Sequence, residues 1–411
     1  MEKLELKKDN QTVLLTGASG FLGSAIAYQL AHSGYRVLAL ARRSSNTKHL
    51  DLPQVEIVTG DVCDEGLLKT LVAKSDHVVH AAATFAGDWE HFKKVNVAST
   101  ENLLRLSVKN NVRRFVYISS ASVYTHSNMN PNESFTEDMP FEKEEFTTFY
   151  SRSKIEAEKQ VWKSIQESKL PGVIFRPGAI YGPRGQIFPA TMGLGMGQER
   201  IILIGDSKSN LPLSYVENVA DAVVKSLKRE DVLGECFNLV EDETLSRREY
   251  ANIIKSSANP KLSVLPIPKW FMESMKFALK TGFGLIGKKA PLSAVNLDMY
   301  CTSIVYSNEK YKKVFGARQL VDFDESIKRT MEWHKNRLTP RRSIGIENGK
   351  IAIPSHRKLN VGIIGCGNIA NAHVNVLSKL DNVDNIVAAD PQGLATEALA
   401  EKFPIAKTYT D

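Results

Sequence analysis

Short apolar runs alternate with amphipathic stretches through the first 180 residues of the chain. The runs are rich in β-branched and other apolar residues, a composition typical of strands that are buried on both faces of a sheet. Strands are predicted at residues 12–17, 37–41, 55–59, 77–82, 115–118 and 172–175. Helical spacing of apolar positions predicts helices between them, at residues 65–73, 92–109 and 150–167. The alternation predicts βαβ units with right-handed crossovers, and therefore an α/β fold with a doubly wound parallel sheet.

The regular alternation ends near residue 184. Beyond it, strand-like runs at residues 201–204 and 236–239 mix with predicted helices at residues 216–228, 246–257 and 270–280. This mixture predicts a smaller substrate lobe, mainly residues 185–336, within a nucleotide-binding domain that spans residues 11–336. Residues 270–287 are rich in Trp, Phe and Met. They are expected to pack on the sheet edge or over a substrate pocket, the alternative being a helix on a membrane surface.

A linker and a second alternating segment complete the chain. Residues 337–360 hold Pro340, Pro354 and several Gly and Ser residues, which predicts a linker. A strand, a glycine-containing turn, a helix and a second strand follow, ending at Asp390. Only about fifty residues remain after the linker, whereas a nucleotide-binding domain needs on the order of 100. Residues 361–411 are therefore expected to be a truncated βαβ segment, cut inside its domain.

Composition and charge narrow the classes of protein. Hydrophobic residues make up 43% and charged residues 24% of the 411 residues, which excludes a disordered, fibrous or disulfide-scaffold protein. The net charge is +7, and the basic residues do not form a long run along the chain. An anionic small molecule is therefore expected as partner rather than nucleic acid. The four cysteines lie far apart, which predicts free thiols in a reducing compartment and no metal site. Without an apolar signal core or an apolar run of about 18 residues, the protein is expected to be cytoplasmic and not stably inserted in a membrane.

The sequence TGASGFLG directly follows the first predicted strand and opens a helix. Gly17 permits a tight turn, Gly20 lets the backbone approach a diphosphate, and Gly23 allows the helix to pack closely on the strand. The N-terminus of a helix also favours negative charge. This context predicts a Rossmann-like dinucleotide site, the alternative being glycines that only form a turn.

Two arginines, Arg42 and Arg43, follow the second predicted strand. An NAD-binding protein typically carries an acidic residue there for the ribose hydroxyls, whereas arginines accommodate the 2′-phosphate of NADP. The sequence therefore favours NADP over NAD, unless both arginines are merely solvated surface residues.

Tyr150 and Lys154 lie four residues apart, on one face of a predicted helix. A free tyrosine has a pKa near 10, and a nearby cation lowers that pKa by stabilising the phenolate, which suits proton transfer to or from an alcohol. The same spacing recurs at Tyr306 and Lys310, but no serine-ended strand precedes it. We take the second occurrence as coincidental.

Serines follow the fifth predicted strand, at the end where open α/β sheets bind ligands. A hydroxyl at this position can hold a substrate oxygen while Tyr150 moves the proton. For Ser119 and Ser122 the alternative is a role in the turn, which serine favours.

From about residue 11 to residue 334, the sequence resembles an extended short-chain dehydrogenase/reductase. Seven motifs carry the resemblance: TGASGFLG at 16–23, GDV at 60–62, HAAA at 80–83, VNVAST at 95–100, YSRSK at 150–154, RPGAIYGP at 176–183 and YVENVA at 215–220. The resemblance implies that Tyr150 is the acid/base, that Ser120 orients the substrate oxygen, and that Lys154 binds the nicotinamide ribose and lowers the tyrosine pKa. It also implies a set of cofactor-binding residues: Gly17, Ser19, Gly20, Phe21, Leu22, Gly23, Arg42, Arg43, Asp61, Val62, Ala81, Ala82, Asn96, Tyr150, Lys154 and Pro177.

Two departures from the family pattern bear on the subfamily. Ser120, Ala121 and Ser122 stand where sugar-nucleotide 4,6-dehydratases carry Thr-Asp-Glu, so elimination of water is not expected. Ala179 stands where nucleotide-sugar epimerases and dehydratases often carry an asparagine that helps hold the substrate diphosphate. The RPxxIYGP pattern is more similar to the 3β-hydroxysteroid dehydrogenase-like branch.

GCGNIA at residues 365–370, with His373, resembles the nucleotide-binding start of the Gfo/Idh/MocA oxidoreductases. The resemblance implies an incomplete NAD-type site at Gly365, Gly367, Asn368, Ile369 and Asp390. The alternative is an unrelated helical tail. Because that family mainly oxidises sugars and cyclitols, this segment favours a sugar-like substrate, in conflict with the steroid-like branch of the first domain.

The expected fold is a Rossmann-like doubly wound sheet with a smaller C-terminal substrate lobe, followed by a truncated second Rossmann βαβ segment. The expected function is hydride transfer between NADP and a secondary alcohol or ketone carbon of a small, sugar-like or steroid-like molecule. The alternatives are a nucleotide-sugar epimerase with no net cofactor turnover and a non-catalytic NADP-binding sensor or scaffold, which the intact triad disfavours. A homodimer is an expectation from the family. The sequence leaves the substrate and the direction of reaction open.

Overall fold

The computed structural model describes residues 11–124, 134–144, 147–189, 191–197, 199–268, four residues between 270 and 277, and 305–338. Beyond these it describes 345–347, 350–352, 359–364, 368–378, 383–390 and 393–409. The chain divides into two compact units, Met1–Lys335 and Asn336–Asp411.

The first unit is built on a parallel sheet of seven strands. The strands are β1 (Thr12–Thr16), β2 (Arg36–Ala41), β3 (Val55–Thr59), β4 (His77–His80), β5 (Arg114–Ile118), β6 (Gly172–Pro177) and β7 (Glu235–Leu239). Their order across the sheet is 3-2-1-4-5-6-7, so the direction of winding reverses between β1 and β4. This confirms the predicted doubly wound fold, which binds ligands at the carboxyl ends of the strands beside the reversal.

Helices cover both faces of the sheet. They are α1 (Phe21–His32), α2 (Glu65–Val72), α3 (Ser99–Lys109), α4 (Phe149–Ser168) and α5 (Val216–Ser226). One apolar cluster joins the sheet to α1 and α5 through residues such as Ile26 and Val223. A second joins the opposite face to α2, α3 and α4 through residues such as Leu68, Leu103 and Val161. A short helix, Trp89–Phe92, and a π-helical turn, Lys93–Ala98, lead directly into α3.

Several details of the strand predictions are wrong: the first strand ends one residue earlier, at Thr16, and the sixth extends two residues further, to Pro177. Residues 236–239 were expected in the substrate lobe, but β7 is the edge strand of the main sheet, parallel to β6, and α5 is its crossover helix. The pattern misses it because a long irregular insertion separates β6 from β7. The fourth strand ends at His80, two residues earlier than predicted, because Ala81 and Ala82 turn against Gly17.

Small strand pairs and helices form the rest of the first unit. Arg200–Ile204 pairs with Ser263–Ile267 and Leu194–Gly195, and Ala179–Tyr181 pairs with Leu213–Tyr215. Further pairs and helices are Asn210–Leu211 with Leu245–Ser246, Ser134–Phe135 with Val305–Tyr306, Arg247–Ile253 with the π-helical Ile254–Ala258, Glu309–Phe315 and Phe323–Leu338. Most of the aromatic segment at residues 270–287 lies outside the described residues. None of the helices in the described part of the chain has the length and hydropathy needed to cross a bilayer.

The second unit contains the predicted strand–helix–strand order. Strands Leu359–Ile364, Val383–Ala389 and Lys407–Tyr409 are parallel and adjacent in that order. Helices Asn368–Leu377 and Gly393–Ala400 connect them, and a hairpin of Gly345–Glu347 and Lys350–Ala352 precedes them. Val374, Ile386 and Leu399 belong to the apolar core of this unit.

Candidate active site

The glycine loop between β1 and α1 is tightly packed. Gly17 has a φ of +71°, and a Cβ there would lie 2.7 Å from the backbone nitrogen of Ala82. A Cβ on Gly23 would lie 2.0 Å from the carbonyl oxygen of Gly17. Side chains at either position would therefore force the loop away from the strand ends or from α1, as the sequence predicts.

The N-terminus of α1 can bind an anion. Gly20 is its N-cap residue, so no side chain caps the helix, and no acidic residue lies in its first turn. The first backbone N–H groups of α1 consequently have no partner within the helix, and they carry the positive end of its dipole. These groups fit the diphosphate of a dinucleotide. Ser19, Phe21 and Leu22 flank them and are partly buried.

Arg184 is a residue of this region that sequence reasoning missed. Its Nη1 donates a hydrogen bond to Ser24 Oγ in the first turns of α1, at 3.2 Å. Its backbone φ of +76° lies in the left-handed region, which is uncommon for a residue other than glycine. Among the described residues it makes no ion pair with a carboxylate. The available signal was its position immediately after the RPGAIYGP motif.

Arg42 and Arg43 are exposed directly after β2. Asp61 lies across the neighbouring strand end, where its carboxylate accepts a hydrogen bond from the Cys63 backbone at 2.8 Å. That hydrogen bond lowers the pKa of Asp61, with a smaller contribution from the charge of Arg42. Val62 is partly buried against the apolar cluster beneath.

His80 ties three elements together at the end of β4. Its Nδ1 lies 2.7 Å from Thr16 Oγ1 on β1, and its Nε2 lies 2.9 Å from Thr100 Oγ1 on α3. Thr100 donates to the Asn96 carbonyl, so it accepts from the Nε2–H of His80, and Thr16 donates to Nδ1. Burial lowers the pKa of His80 to about 3. The ring is therefore neutral at neutral pH, and it positions the loop containing Ala81 and Ala82 beside Gly17.

Asn96 holds that loop against α4. The side chain is 2% exposed; its Oδ1 accepts from the Thr84 backbone at 2.8 Å, and its Nδ2 donates to Ser153 Oγ at 2.8 Å and to the Thr84 carbonyl at 3.3 Å. The amide group is thus engaged by protein partners. In this structure Asn96 therefore holds the loop at Thr84 against α4.

The structure brings together the three residues of the expected triad. Ser120 follows β5 and its hydroxyl accepts a hydrogen bond from the Ser122 backbone at 3.2 Å. Tyr150 lies near the start of α4, and the Ser120 side chain is close enough to lower the pKa of its phenol. One helical turn later, Lys154 Nζ donates to the Ile118 carbonyl at 2.5 Å. The site therefore lies at the carboxyl end of β5, where the topology places ligand binding.

Burial shifts both titratable members of the triad. It raises the pKa of Tyr150 to about 12, against the opposing effect of the nearby Ser120 side chain. It lowers the pKa of Lys154 to about 7, against the opposing effect of the Glu158 charge. Lys154 is 3% exposed, and its Nζ lies 4.3 Å from the centre of the Tyr117 ring. At neutral pH Tyr150 is a phenol, and Lys154 is close to its titration midpoint.

An aromatic cluster borders the triad and was also missed from the sequence. Phe85 stacks on the Tyr150 ring, with centroids 4.9 Å apart and an interplanar angle of 24°, although 75% of Phe85 is exposed. Phe149 is half exposed and lies 6.0 Å from Trp89 and 6.2 Å from Phe92, centroid to centroid. The signal was the series of aromatic residues that follows the HAAA motif. We call these four residues the aromatic cluster.

The other serine and tyrosine candidates make contacts within the protein core or with neighbouring elements. Ser119 points into the protein and donates a hydrogen bond to the buried Glu158. Tyr306 packs against Tyr124 and Phe135, and Lys310 forms a 2.7 Å ion pair with Glu235. Pro177 is buried at the end of β6.

In the second unit, Gly365 and Gly367 lie outside the described residues. Asn368 and Ile369 begin the helix that follows them. Asp390 directly follows the strand Val383–Ala389, and its backbone nitrogen donates to the Tyr409 carbonyl at 3.1 Å.

The NAD dependent epimerase/dehydratase family matches residues 13–239, more than half of the chain, and the protein belongs to this family. The extended short-chain dehydrogenase/reductase interpretation of the first unit is thereby confirmed, whereas no comparison supports a Gfo/Idh/MocA domain. The relatives it resembles are named dehydrogenases, reductases and epimerases, so the protein is an enzyme of the NAD(P)-binding oxidoreductase and epimerase class.

Three curated relatives illustrate the range of the family. The chain is 27% identical to the mouse (Mus musculus) sterol-4-alpha-carboxylate 3-dehydrogenase, decarboxylating, over 77% of this chain and 89% of that protein. It is 27% identical to the 2-alkyl-3-oxoalkanoate reductase of Stenotrophomonas maltophilia, over 77% of this chain and 97% of that protein. It is 28% identical to the N-acetyl-alpha-D-glucosaminyl-diphospho-ditrans,octacis-undecaprenol 4-epimerase of Escherichia coli O157:H7, over 73% of this chain and 88% of that protein.

A solved structure has the same fold. DesIV, a dTDP-glucose 4,6-dehydratase from Streptomyces venezuelae with NAD and TYD bound, superposes with a TM-score of 0.62 over 79% of this chain and 97% of that chain. Its sequence identity of 22% supports the fold alone.

Proposed function

We propose that this protein is an NAD(P)-dependent oxidoreductase acting at a secondary alcohol or ketone carbon through Ser120, Tyr150 and Lys154. The observation that carries the proposal is the placement of the three residues at the carboxyl end of β5: Lys154 Nζ donates to the carbonyl of Ile118, two residues before Ser120, and Tyr150 lies one turn earlier on α4. Bound NAD(P) would supply the hydride donor or acceptor. Gly17, Gly20 and the uncapped start of α1 would hold its diphosphate, and Lys154 its nicotinamide ribose.

The protein residues would move the proton. Ser120 holds the substrate oxygen beside Tyr150. With a pKa of about 12, Tyr150 keeps its proton at neutral pH, which supports donation to the oxygen of a ketone. In the oxidative direction the phenolate must form, and a protonated Lys154 stabilises it.

For the cofactor we propose NADP in preference to NAD. Arg42 and Arg43 are exposed after β2, where the ribose of the adenosine would lie in this topology. No acidic residue occupies the end of that strand.

A steroid-like or otherwise apolar substrate is favoured over a sugar-like one. Phe85 presents an exposed aromatic face directly beside Tyr150, which suits an apolar surface next to the reacting carbon. Ala179 stands where a diphosphate-binding asparagine would support a nucleotide sugar. Two of the relatives described above are named for sterol and alkyl substrates.

The second candidate function is epimerisation without net cofactor turnover, which the similarity to the undecaprenol-linked 4-epimerase favours. The same three residues would remove and return the hydroxyl proton, while one carbon would lose a hydride to bound NAD(P) and regain it on its other face. Absorbance of reduced nicotinamide, recorded with sterols, 3-oxo acids, free sugars and nucleotide sugars, separates the two candidates. Steady cofactor turnover supports the oxidoreductase, whereas a changed substrate without net turnover supports the epimerase.

Replacement of Tyr150 by Phe tests the mechanism. Loss of the proton donor is expected to lower kcat by about 10²- to 10⁴-fold while the Kd for NADP stays within about twofold. Tyr28→Phe is the control, because Tyr28 is an exposed tyrosine in the second half of α1 that stacks on His32. Unchanged turnover in Tyr150→Phe would remove Tyr150 from its role.

Two further assignments are proposals as well. Residues 361–411 would form an incomplete NAD-type site of Gfo/Idh/MocA type, supported by the parallel strands and by Asp390 after the second of them. The binding stoichiometry of NAD, measured by calorimetry, distinguishes one site from two. A homodimer is tested by the mass obtained from light scattering.

A further inference from the structure

Glu158 is a fully buried carboxylate one helical turn beyond Lys154 on α4. Arg176 on β6 binds it through Nη2 to Oε1 at 2.5 Å and through Nε to Oε1 at 3.0 Å and Oε2 at 3.3 Å. Trp162 Nε1 donates to Oε1 at 3.2 Å, and the Ser119 hydroxyl donates to Oε2. Both carboxylate oxygens are therefore engaged by protein donors.

Arg176 is fixed equally well on its other side. Its Nη1 donates to the Glu137 carbonyl at 3.0 Å, and its guanidinium lies 4.7 Å from the Tyr124 ring centre and 5.4 Å from that of Phe141. Removing two charges from water costs much of what their attraction gains, so a buried ion pair contributes little net stability. A fixed, buried pair beside a triad is better explained by what it positions.

Ser119 connects the pair to the candidate triad. Its hydroxyl binds Glu158, and its backbone nitrogen donates to the Phe175 carbonyl at 2.7 Å. The preceding carbonyl, of Ile118, accepts the hydrogen bond from Lys154, and the following residue is Ser120. Holding Ser119 in place therefore also holds its two neighbours, Ile118, whose carbonyl binds Lys154, and Ser120 of the triad.

We propose that Glu158, paired with Arg176, is a positioning residue for the triad: it holds the end of β5 through Ser119 and places a negative charge one helical turn from Lys154. This inference rests on the function proposed above. In this proposal Glu158 contacts neither substrate nor cofactor and acts through Ser119 and Lys154.

The groups facing Lys154 single out Glu158 as the source of that charge. His80 on β4 is neutral, because burial lowers its pKa to about 3. Tyr117 on β5 and Tyr150 on α4 are neutral phenols, because burial raises the pKa of both. Of these groups, Glu158 alone carries a charge that raises the pKa of Lys154, against the effect of burial.

The test is a pH titration of the full chain labelled with ¹³C at lysine Cε and followed by NMR. The Lys154 signal is identified by its absence in Lys154→Met. The parent midpoint is expected near 7. In Glu158→Gln it should fall by at least one pH unit, which is a tenfold change in the proton-binding constant. Glu156→Gln, on the same helix but paired with Arg152, should keep the parent midpoint.

Ser119→Ala separates the two parts of the proposal, because it removes the hydrogen bond and keeps the charge. Its Lys154 midpoint should match the parent, while kcat for the substrate found in the panel above should fall at least tenfold with the Kd for NADP unchanged. If Glu158→Gln does not fold, Glu158→Gln/Arg176→Met removes both charges, and its midpoint should still fall below that of the parent.

An unchanged Lys154 midpoint in a folded Glu158 variant, or parent kcat in Ser119→Ala, overturns the proposal. The titration needs neither cofactor nor substrate, so its outcome is independent of the reaction. If Tyr150→Phe retains full turnover, the proposed function fails, whatever the Lys154 titration gives.

Discussion

At the scale of single residues, the proposed preference for NADP over NAD rests on two exposed arginines. Replacing both Arg42 and Arg43 by Ala removes the charge-assisted hydrogen bonds available to a 2′-phosphate. The Kd for NADP should rise about tenfold or more, equivalent to about 1.4 kcal/mol, while the Kd for NAD stays within about twofold. Fluorescence titration with both reduced cofactors measures the two values.

Arg36→Ala is the matched control for that prediction. Arg36 lies on the same strand, β2, but at its other end, where it forms an exposed ion pair with Glu56. It should leave both affinities unchanged. An equal loss of NAD and NADP affinity in the double variant would mean that the arginines act on the shared part of the cofactor, and the NADP preference would be wrong.

The sequence predicts those site residues whose relative positions local structure fixes. Tyr150 and Lys154 are four residues apart within one helix, so their shared face follows from helical geometry alone. Ser120 follows from the end of a strongly apolar strand. Phe85 and Arg184 do not follow, because each lies on a loop whose path depends on contacts distant in sequence. Periodicity contains no information about such paths.

At the scale of elements, the closest packing in the site is between α1 and the turn that precedes it. Gly23→Ala would place a Cβ 2.0 Å from the Gly17 carbonyl oxygen, so the helix must move. Overpacking of this kind costs about 1–3 kcal/mol, and displacement of the α1 N-terminus should also weaken cofactor binding by about tenfold or more. Urea unfolding and cofactor titration measure the two effects.

Gly66→Ala provides the contrasting case, since Gly66 also lies in the first turn of a helix, α2. The nearest atom to a Cβ there is 3.4 Å away, and its backbone does not require glycine. The substitution should leave stability unchanged or raise it by up to about 1 kcal/mol. If Gly23→Ala behaves in the same way, the loop is not held by the close approach that the structure describes.

Elements also show where pattern reasoning stops. The six strands up to β6 are predictable because apolar runs alternate with helices at regular intervals. β7 is not assigned to the sheet from its sequence, because ECFNL is a short run that follows more than fifty residues of irregular lobe. Its place next to β6 depends on the crossover helix α5, whose apolar face packs on the α1 side of the sheet. That is a tertiary property, and the eight residues between α5 and β7 do not reveal it alone.

At the scale of the whole molecule, the two units differ in what they contribute to the site. All seven strands, both apolar clusters of the main sheet and the three triad residues belong to Met1–Lys335. The aromatic cluster and the pair of Glu158 with Arg176 belong to it as well. The sequence predicts this division because the alternating pattern stops at a Pro- and Gly-containing segment and starts again after it.

A chain of residues 1–340 should therefore fold and keep the activity of the full protein. It retains helix Phe323–Leu338 and everything before it, so its melting temperature for the first transition, its kcat and its Kd for NADP should match those of the full chain. A shorter chain ending at residue 308 is the control. It loses Glu309–Phe315, whose Tyr311 and Phe315 pack against the α1 side of the core, and should be destabilised. Loss of turnover in the 1–340 chain would instead mean that residues 341–411 take part in the reaction, and the site described above would be incomplete.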